Sequence, residues 1–280
     1  MNEQNHLISN EYSIKIVTDL SDFEKLKPRW DNLAEKQGVY MPFLCFDWFK
    51  VWLEHFLNGN KLLILLLYKG NEIVTIVPCL IKEEKFKGVY VRKIELIGNV
   101  YSPFRYFLLI GLNDEQRIKY LSFIFQFLFK DYKNWDVLEL TGIPEENNCF
   151  DVLKIAVKNR HVKHADFVGY GDWYLDEIEC SGDEYFSNLP KKIRKDVAYC
   201  RRRLENTGNF EFKLITDSDM IDHYMDLYYG VYATSWQERE GIGPNFHRDL
   251  AKMTARNGWL RLGFLSLNGS QIASQFWGIM

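Results

Sequence analysis

Two stretches of the chain, 43–82 and 236–280, carry the same order of signals: an aromatic helical pattern, then two apolar strands closed by a tight turn. An isolated hairpin is marginal in water and must pack against more strands or helices, so each stretch demands a core of its own. In the first, Phe43–Phe56 is expected as an aromatic helix, Lys61–Tyr68 as a buried strand, Lys69-Gly70-Asn71-Glu72 as a turn and Ile73–Ile81 as the returning strand. In the second, a helix at Phe246–Ala255 stops at Gly258, and strands Trp259–Leu267 and Gln271–Met280 meet at Asn268-Gly269, the strongest short hairpin signal present. The plainer alternative is that any α/β chain contains such helix–hairpin pieces.

A length of 280 residues leaves room for two domains. Around the hairpins, strands are expected at Tyr12–Val17, Val89–Leu96, Tyr106–Ile110, Trp135–Leu140, Trp173–Ile178 and Phe210–Ile215. A helix capped by Asp19, Ser21 or Asp22 carries Phe23, Leu26, Trp30 and Leu33, with Pro28 demanding a kink or a start nearer Lys27. Further helices are expected at Asp114–Phe129, at Phe150–Val157, over a long Tyr185–Leu204 span, and from caps at Asp217–Asp219 towards Trp236. The order is that of a mixed α/β or α+β fold.

The formal charge of −3 and pI of 6.1 give no global field for nucleic acid or an anionic membrane, so any basic site must be local. Cys45, Cys79, Cys149, Cys180 and Cys200 are scattered and odd in number, with no metal-ligand spacing, which predicts reduced thiols and no metal site. His161 and His164 lack a third ligand nearby. The polar start and the absence of any apolar run near ~20 residues predict no membrane span and a cytoplasmic location. A Ser–His–Asp hydrolase is excluded by the missing Gly-x-Ser-x-Gly elbow, and nucleotide-binding loops by the missing glycine motifs.

Several segments, taken together in order, resemble a family. They are Trp30-Asp31-Asn32-Leu33, Trp52, Val77-Pro78-Cys79-Leu80, Trp135-Asp136-Val137-Leu138-Glu139-Leu140, Leu189-Pro190-Lys191-Lys192 and Arg201-Arg202-Arg203-Leu204-Glu205. The closest stretch runs from Ser235-Trp236 through Gly258-Trp259-Leu260-Arg261-Leu262-Gly263 to Asn268-Gly269 and Ile272-Ala273-Ser274-Gln275-Phe276-Trp277. They resemble the tandem GNAT-like acyltransferases of the BioF-like/CelD group found in bacterial polysaccharide biosynthesis, themselves similar to FemABX-type transferases. The resemblance implies two GNAT-like lobes, at 1–178 and 179–280, the first degenerate. It also implies that the second is incomplete, ending before the helix that binds the donor pyrophosphate, so that a missing segment, a partner strand or a dimer would complete its sheet. Gly111-Leu112-Asn113-Asp114 does not replace that element, because Asp114 and Glu115 would repel a pyrophosphate.

The implied chemistry is attack of a neutral amine on an acyl-CoA thioester, with the acceptor a saccharide or cell-envelope precursor, no DNA, and no metal. Such transfer needs a base and an oxyanion donor but little else from side chains. On this reading Glu238, Glu240 and Gln275 are the catalytic candidates, while Trp236, Arg261, Tyr101 and Arg105 contact the acceptor. Lys191, Lys192, Arg194 and Arg202 would take phosphates of the donor, in a strip that also holds Lys195, Arg201 and Arg203. Each has a plainer role: core tryptophan, solvated glutamate, ladder pair on a wet sheet, turn, exposed helix face. Two other functions are weighed, an aminoacyl-tRNA-dependent transferase, which the basic strip suits, and a non-catalytic binding module.

Overall fold

The computed structural model describes residues 6–38, 41–86, 88–109, 111–158, 162–169, 171, 179–217, 219–234 and 244–278. The chain divides into two compact units, Met1–Gly169 and Tyr170–Met280, in a mixed α/β arrangement with a sheet in each.

The first unit orders its strands β1 (His6–Leu7), β2 (Tyr12–Val17), β3 (Lys61–Lys69), β4 (Glu72–Phe86), β5 (Val89–Leu96) and β6 (Val137–Glu139) in sequence across one sheet. All neighbours are antiparallel except β5 and β6. Leu62–Tyr68 in β3 are buried without interruption, as a central strand covered on both faces requires. Burying each such Leu or Ile contributes about 1.5–3 kcal/mol.

Between β2 and β3 the expected single helix is two, α1 (Leu20–Glu24) and α2 (Lys27–Lys36). Asp19 caps the first through the Asp22 amide at 2.8 Å, and Pro28 falls in the first turn of the second, where its missing N–H costs nothing. The aromatic stretch opens with a 3₁₀ turn at Pro42–Leu44 and continues as α3 (Phe46–Phe56). Trp30 Nε1 donates to the Leu44 carbonyl at 2.9 Å, and Phe23 stacks on Phe46 with centroids 4.6 Å apart, which locks these helices together. After β5 come α4 (Asp114–Gln126), capped by Asn113 and running into a π-helical turn at Phe127–Asp131, and α5 (Cys149–Lys158).

Tyr106–Ile110, expected as a strand, is not one over its described residues. Tyr106 to Leu109 are buried, but the segment bonds irregularly to β4: the Leu108 amide donates to the Ile76 carbonyl and Thr75 Oγ1 donates to the Leu108 carbonyl. An apolar run signals burial and does not by itself assign a ladder. Trp135–Leu140 keeps strand geometry only over β6. Trp173–Ile178 lies outside the described residues.

The second unit begins with α6 (Gly182–Asn188) and α7 (Lys191–Thr207), where one long helix is expected. Pro190 separates them, since it pushes Leu189 into an extended conformation with ψ 153°. Strand β7 (Phe210–Ile215) follows, then α8 (Ile221–Tyr232), α9 (Pro244–Arg256), β8 (Leu260–Leu267) and β9 (Ser270–Gly278). The expected caps at Asp217–Asp219 are not used; Met220 is the N-cap of α8 and offers no side-chain bond. The antiparallel sheet has the order β7-β8-β9. Leu260, Leu262 and Phe264 are buried with Met225 and Ala251 of α8 and α9, so these helices share a core with that face of the sheet.

Each unit therefore contains a strand, helices and a hairpin, with the strand paired to the first arm of the hairpin. In both hairpins the register slips just before the turn, at Leu67/Tyr68 and at Leu265/Ser266. Both turns hold positive φ, at Gly70 in the first and at Asn268 and Gly269 in the second.

Candidate active site

Arg261 and Gln275 stand on neighbouring strands, as the sequence suggests, but not opposite each other. Arg261 pairs with Trp277 and Gln275 with Gly263, which puts all four on the face of the sheet away from Leu262. Trp277 Nε1 donates to Gln275 Oε1 at 3.2 Å, while Arg261 Nη1 turns back to the carbonyls of Leu260 and Gly258. Gly263 admits the Phe212 ring from β7, which lies 3.2 Å from where a Cβ would stand. Phe210, Phe212, Leu214 and Trp277 make this face aromatic and open, with Phe212 and Trp277 65% and 62% exposed. Such a surface can stack a ring and offer an amide and a guanidinium beside it. Trp277 belongs to the family-like stretch but is not among the site residues the sequence suggests; its place two residues beyond Gln275 on one strand is the signal that finds it.

Trp236, Glu238 and Glu240 lie outside the described residues. On either side of that segment, Tyr229 of α8 and His247 of α9 approach with the phenol oxygen 2.7 Å from Nδ1. A phenol and an imidazole at this distance can share a hydrogen bond in either direction, depending on the tautomer of the ring. Sequence reasoning missed the pair because its members are eighteen residues apart with no fixed spacing rule to join them.

Lys191, Lys192, Arg194 and Arg202 are all exposed on α7. Arg202 Nε donates to the Ala198 carbonyl, and Arg201 pairs with Glu205 at 3.2 Å. These cations fit phosphate groups by charge. The start of α8 does not: its cavity of about 290 Å³ is lined by Asp219, Asp222, His223 and Lys252, and Asp222 is already paired with Lys252 at 2.8 Å.

In the first unit, Tyr101 and Arg105 belong to a loop that is held firmly. The Arg105 amide donates to the Gly142 carbonyl at 2.8 Å, its Nε to the Ser102 carbonyl and its Nη1 to Thr141 Oγ1. The Tyr101 amide donates to Asn99 Oδ1, and its ring is nearly parallel to Phe56 at 6.4 Å. Trp48 Nε1 anchors the loop from below through Ser102 Oγ. A second polar cluster escaped the sequence altogether: Lys93 meets Glu84, Glu95 and Glu139, each within 2.9 Å, on strands that only the sheet brings together.

No group of three or more His, Cys, Asp or Glu side chains able to hold a metal ion occurs among the described residues, and none of the described helices is long and apolar enough to cross a membrane.

Residues 191–279 match the family model described as Acetyltransferase (GNAT) domain. The matched span takes in α7 to β9, and it supports a GNAT-like acyltransferase with acyl transfer as the general chemistry. No curated protein and no solved structure matches the chain.

Proposed function

We propose that this chain is an N-acyltransferase that moves an acyl group from acyl-CoA to an amino group of a saccharide or cell-envelope precursor. The observation that carries the reading is the GNAT match over a segment whose described residues form a helix, a strand, two further helices and an antiparallel hairpin. The bond between the acceptor nitrogen and the acyl carbon forms as the carbon–sulfur bond breaks, the amine proton passes to Glu238 or Glu240, and sulfur leaves as the thiolate. Gln275 polarises the acyl oxygen, and Trp236 and Arg261 hold the acceptor. Tyr101 and Arg105 serve acceptor selection. Lys191, Lys192, Arg194 and Arg202 meet the donor's phosphates.

The chain is further proposed to be a tandem of two GNAT-like lobes, 1–178 and 179–280, of which the first shapes the fold and does not transfer. The repeated strand-to-hairpin pairing and the register slips at matching places support that division.

Thiol release from acetyl-CoA, measured with a panel of amino sugars and the full chain, tests the proposal. Amine-dependent release is expected. Absence of release with every amine, together with no heat of coenzyme A binding by calorimetry, overturns it.

A further inference from the structure

Helix α7 combines two features that recognition of a soluble donor does not require together. Ile193, Val197, Cys200 and Leu204 fall within an arc of about 60° on its surface. Ile193 and Val197 are each 45% exposed, Cys200 is exposed and Leu204 half-buried, so the described residues leave the first three positions of the arc uncovered. Arg194 and Arg201 border it on one side, and Lys192 and Arg203 on the other. Seven Lys and Arg side chains stand on this helix against Asp196 and Glu205, in a chain whose formal charge is −3. Of the seven, only Arg201 is ion-paired among the described residues.

The start of the helix indicates that these cations serve something outside the fold. Lys191, Lys192 and Arg194 crowd its first turn, against the positive end of the helix dipole, and Pro190 supplies no side-chain acceptor to the free amides. A helix built for its own stability carries acids there. An anionic partner turns that repulsion into attraction.

A soluble phosphate or a nucleic acid accounts for the cations and leaves the apolar arc in water. An anionic lipid surface takes both, because the arc can sink to the boundary between headgroups and acyl chains while the bordering Arg and Lys side chains reach the phosphates. We propose that α7 is a peripheral membrane-docking helix lying in the plane of an anionic leaflet, with Ile193, Val197, Cys200 and Leu204 inserted. Docking of this kind places an acceptor-modifying enzyme at a lipid surface, and it stands independently of whether acyl transfer occurs.

Co-sedimentation of the full chain with vesicles of phosphatidylcholine, alone or mixed with phosphatidylglycerol, tests the proposal, with alkylation of Cys200 as a second readout. Binding is expected to the mixed vesicles only, to weaken in high salt, and to slow Cys200 alkylation. Two variants, I193S/V197S and K191E/K192E/K195E, alter only exposed side chains, and circular dichroism checks their folding. Each is expected to weaken binding by about tenfold or more, the first through lost apolar burial and the second through lost attraction. Failure to bind mixed vesicles, equal binding to neutral ones, unchanged Cys200 alkylation, or wild-type binding by I193S/V197S overturns the proposal. Coenzyme A calorimetry separates the two readings: a chain that binds coenzyme A but no vesicle loses only the membrane role, and the reverse result loses only the proposed donor. Binding of a structured RNA without vesicle binding also overturns it.

Discussion

Asn209 and Asn268 hold each other from both sides. The Asn268 amide donates to the Asn209 carbonyl at 2.8 Å, and the Asn209 amide donates to Asn268 Oδ1 at 3.0 Å. The pair ties the exit of α7 to the turn of the β8–β9 hairpin, and Asn268 does this with φ at 51°. Alanine there loses the acceptor and is strained in the left-handed region, a combined cost of about 2 kcal/mol. Glycine loses only the bond, about 1 kcal/mol, and aspartate keeps it. Urea denaturation of the three variants is expected to rank them Asp, Gly, Ala in falling stability; equal stabilities for Gly and Ala would show that the turn conformation is irrelevant.

Gly208 lies against the same side chain. A Cβ on it would stand 2.2 Å from Asn268 Oδ1, so Gly208→Ala must displace the asparagine and is expected to cost about as much as Asn268→Gly. The double variant Gly208→Ala/Asn268→Gly should then be less unstable than the sum of the two, which a double-mutant cycle measures.

Arg92 and Asp136 join β5 to the entry of β6. Arg92 Nη2 donates to Asp136 Oδ1 at 2.9 Å, its Nε and amide donate to Oδ2, and the Asp136 amide returns a bond to the Arg92 carbonyl. The side-chain bonds from Arg92, then its amide, hold the Asp136 carboxyl down at about 2. A depressed folded pKa means stability that is present above the unfolded value near ~4 and lost as pH falls towards ~2. Asp136→Asn is expected to lower stability at neutral pH and to flatten the acid limb of the unfolding profile in that window. An unchanged acid limb would assign acid sensitivity to other carboxylates.

Much of this architecture is legible in the sequence where one physical signal dominates. Tyr12–Val17, Val89–Leu96 and Phe210–Ile215 have the bounds their patterns predict, and Asn268-Gly269 forms the expected turn. The errors arise where two signals compete. Apolar spacing continues from Tyr185 to Leu204, but Pro190 overrides it; Tyr106–Leu109 is as apolar as a strand, yet its partners on β4 are reached only through tertiary packing. The shared face of Ile193, Val197, Cys200 and Leu204 is real, but no periodicity says whether protein or solvent lies against it. For the site, sequence locates Arg261 and Gln275 on adjoining strands, while the Trp277–Gln275 bond and the Tyr229–His247 approach depend on register and helix packing that no short motif encodes.

Four of the five thiols divide clearly by environment. Burial lifts the Cys45 thiol to about 12 and pushes Cys79 and Cys149 upward as well, whereas Cys200 is exposed on α7. Because the thiolate is the reactive form, brief alkylation of the folded chain near pH 8 is expected to modify Cys200 first and to spare Cys45, Cys79 and Cys149, as read by peptide mass spectrometry. Early modification of Cys79 would contradict the buried central strand.

Arg117 carries the most demanding polar environment in the first unit. Only 2% exposed, it donates through Nη1 to Asp114 Oδ1 at 2.9 Å and to the Asn147 carbonyl at 2.6 Å, and through Nη2 to the Tyr106 hydroxyl and Cys149 Sγ, each at 3.4 Å. These bonds gather the α4 start, the segment before α5 and the irregular Tyr106–Leu109 run around one guanidinium. Asn147 and Asn148 both adopt positive φ, which brings the Asn147 carbonyl to the arginine, and Asn148 Nδ2 donates to the other oxygen of Asp114. The Asp114 carboxylate is half exposed and stays hydrated without its partner. The loss therefore comes from the buried neutral acceptors left unpaired, about 1–3 kcal/mol, and Arg117→Ala is expected to unfold the first unit at lower urea concentration. Arg117→Lys keeps the charge but cannot fork to four acceptors on three segments, and should recover only part of the loss. Full recovery with lysine would mean that charge, not the forked geometry, holds these segments together.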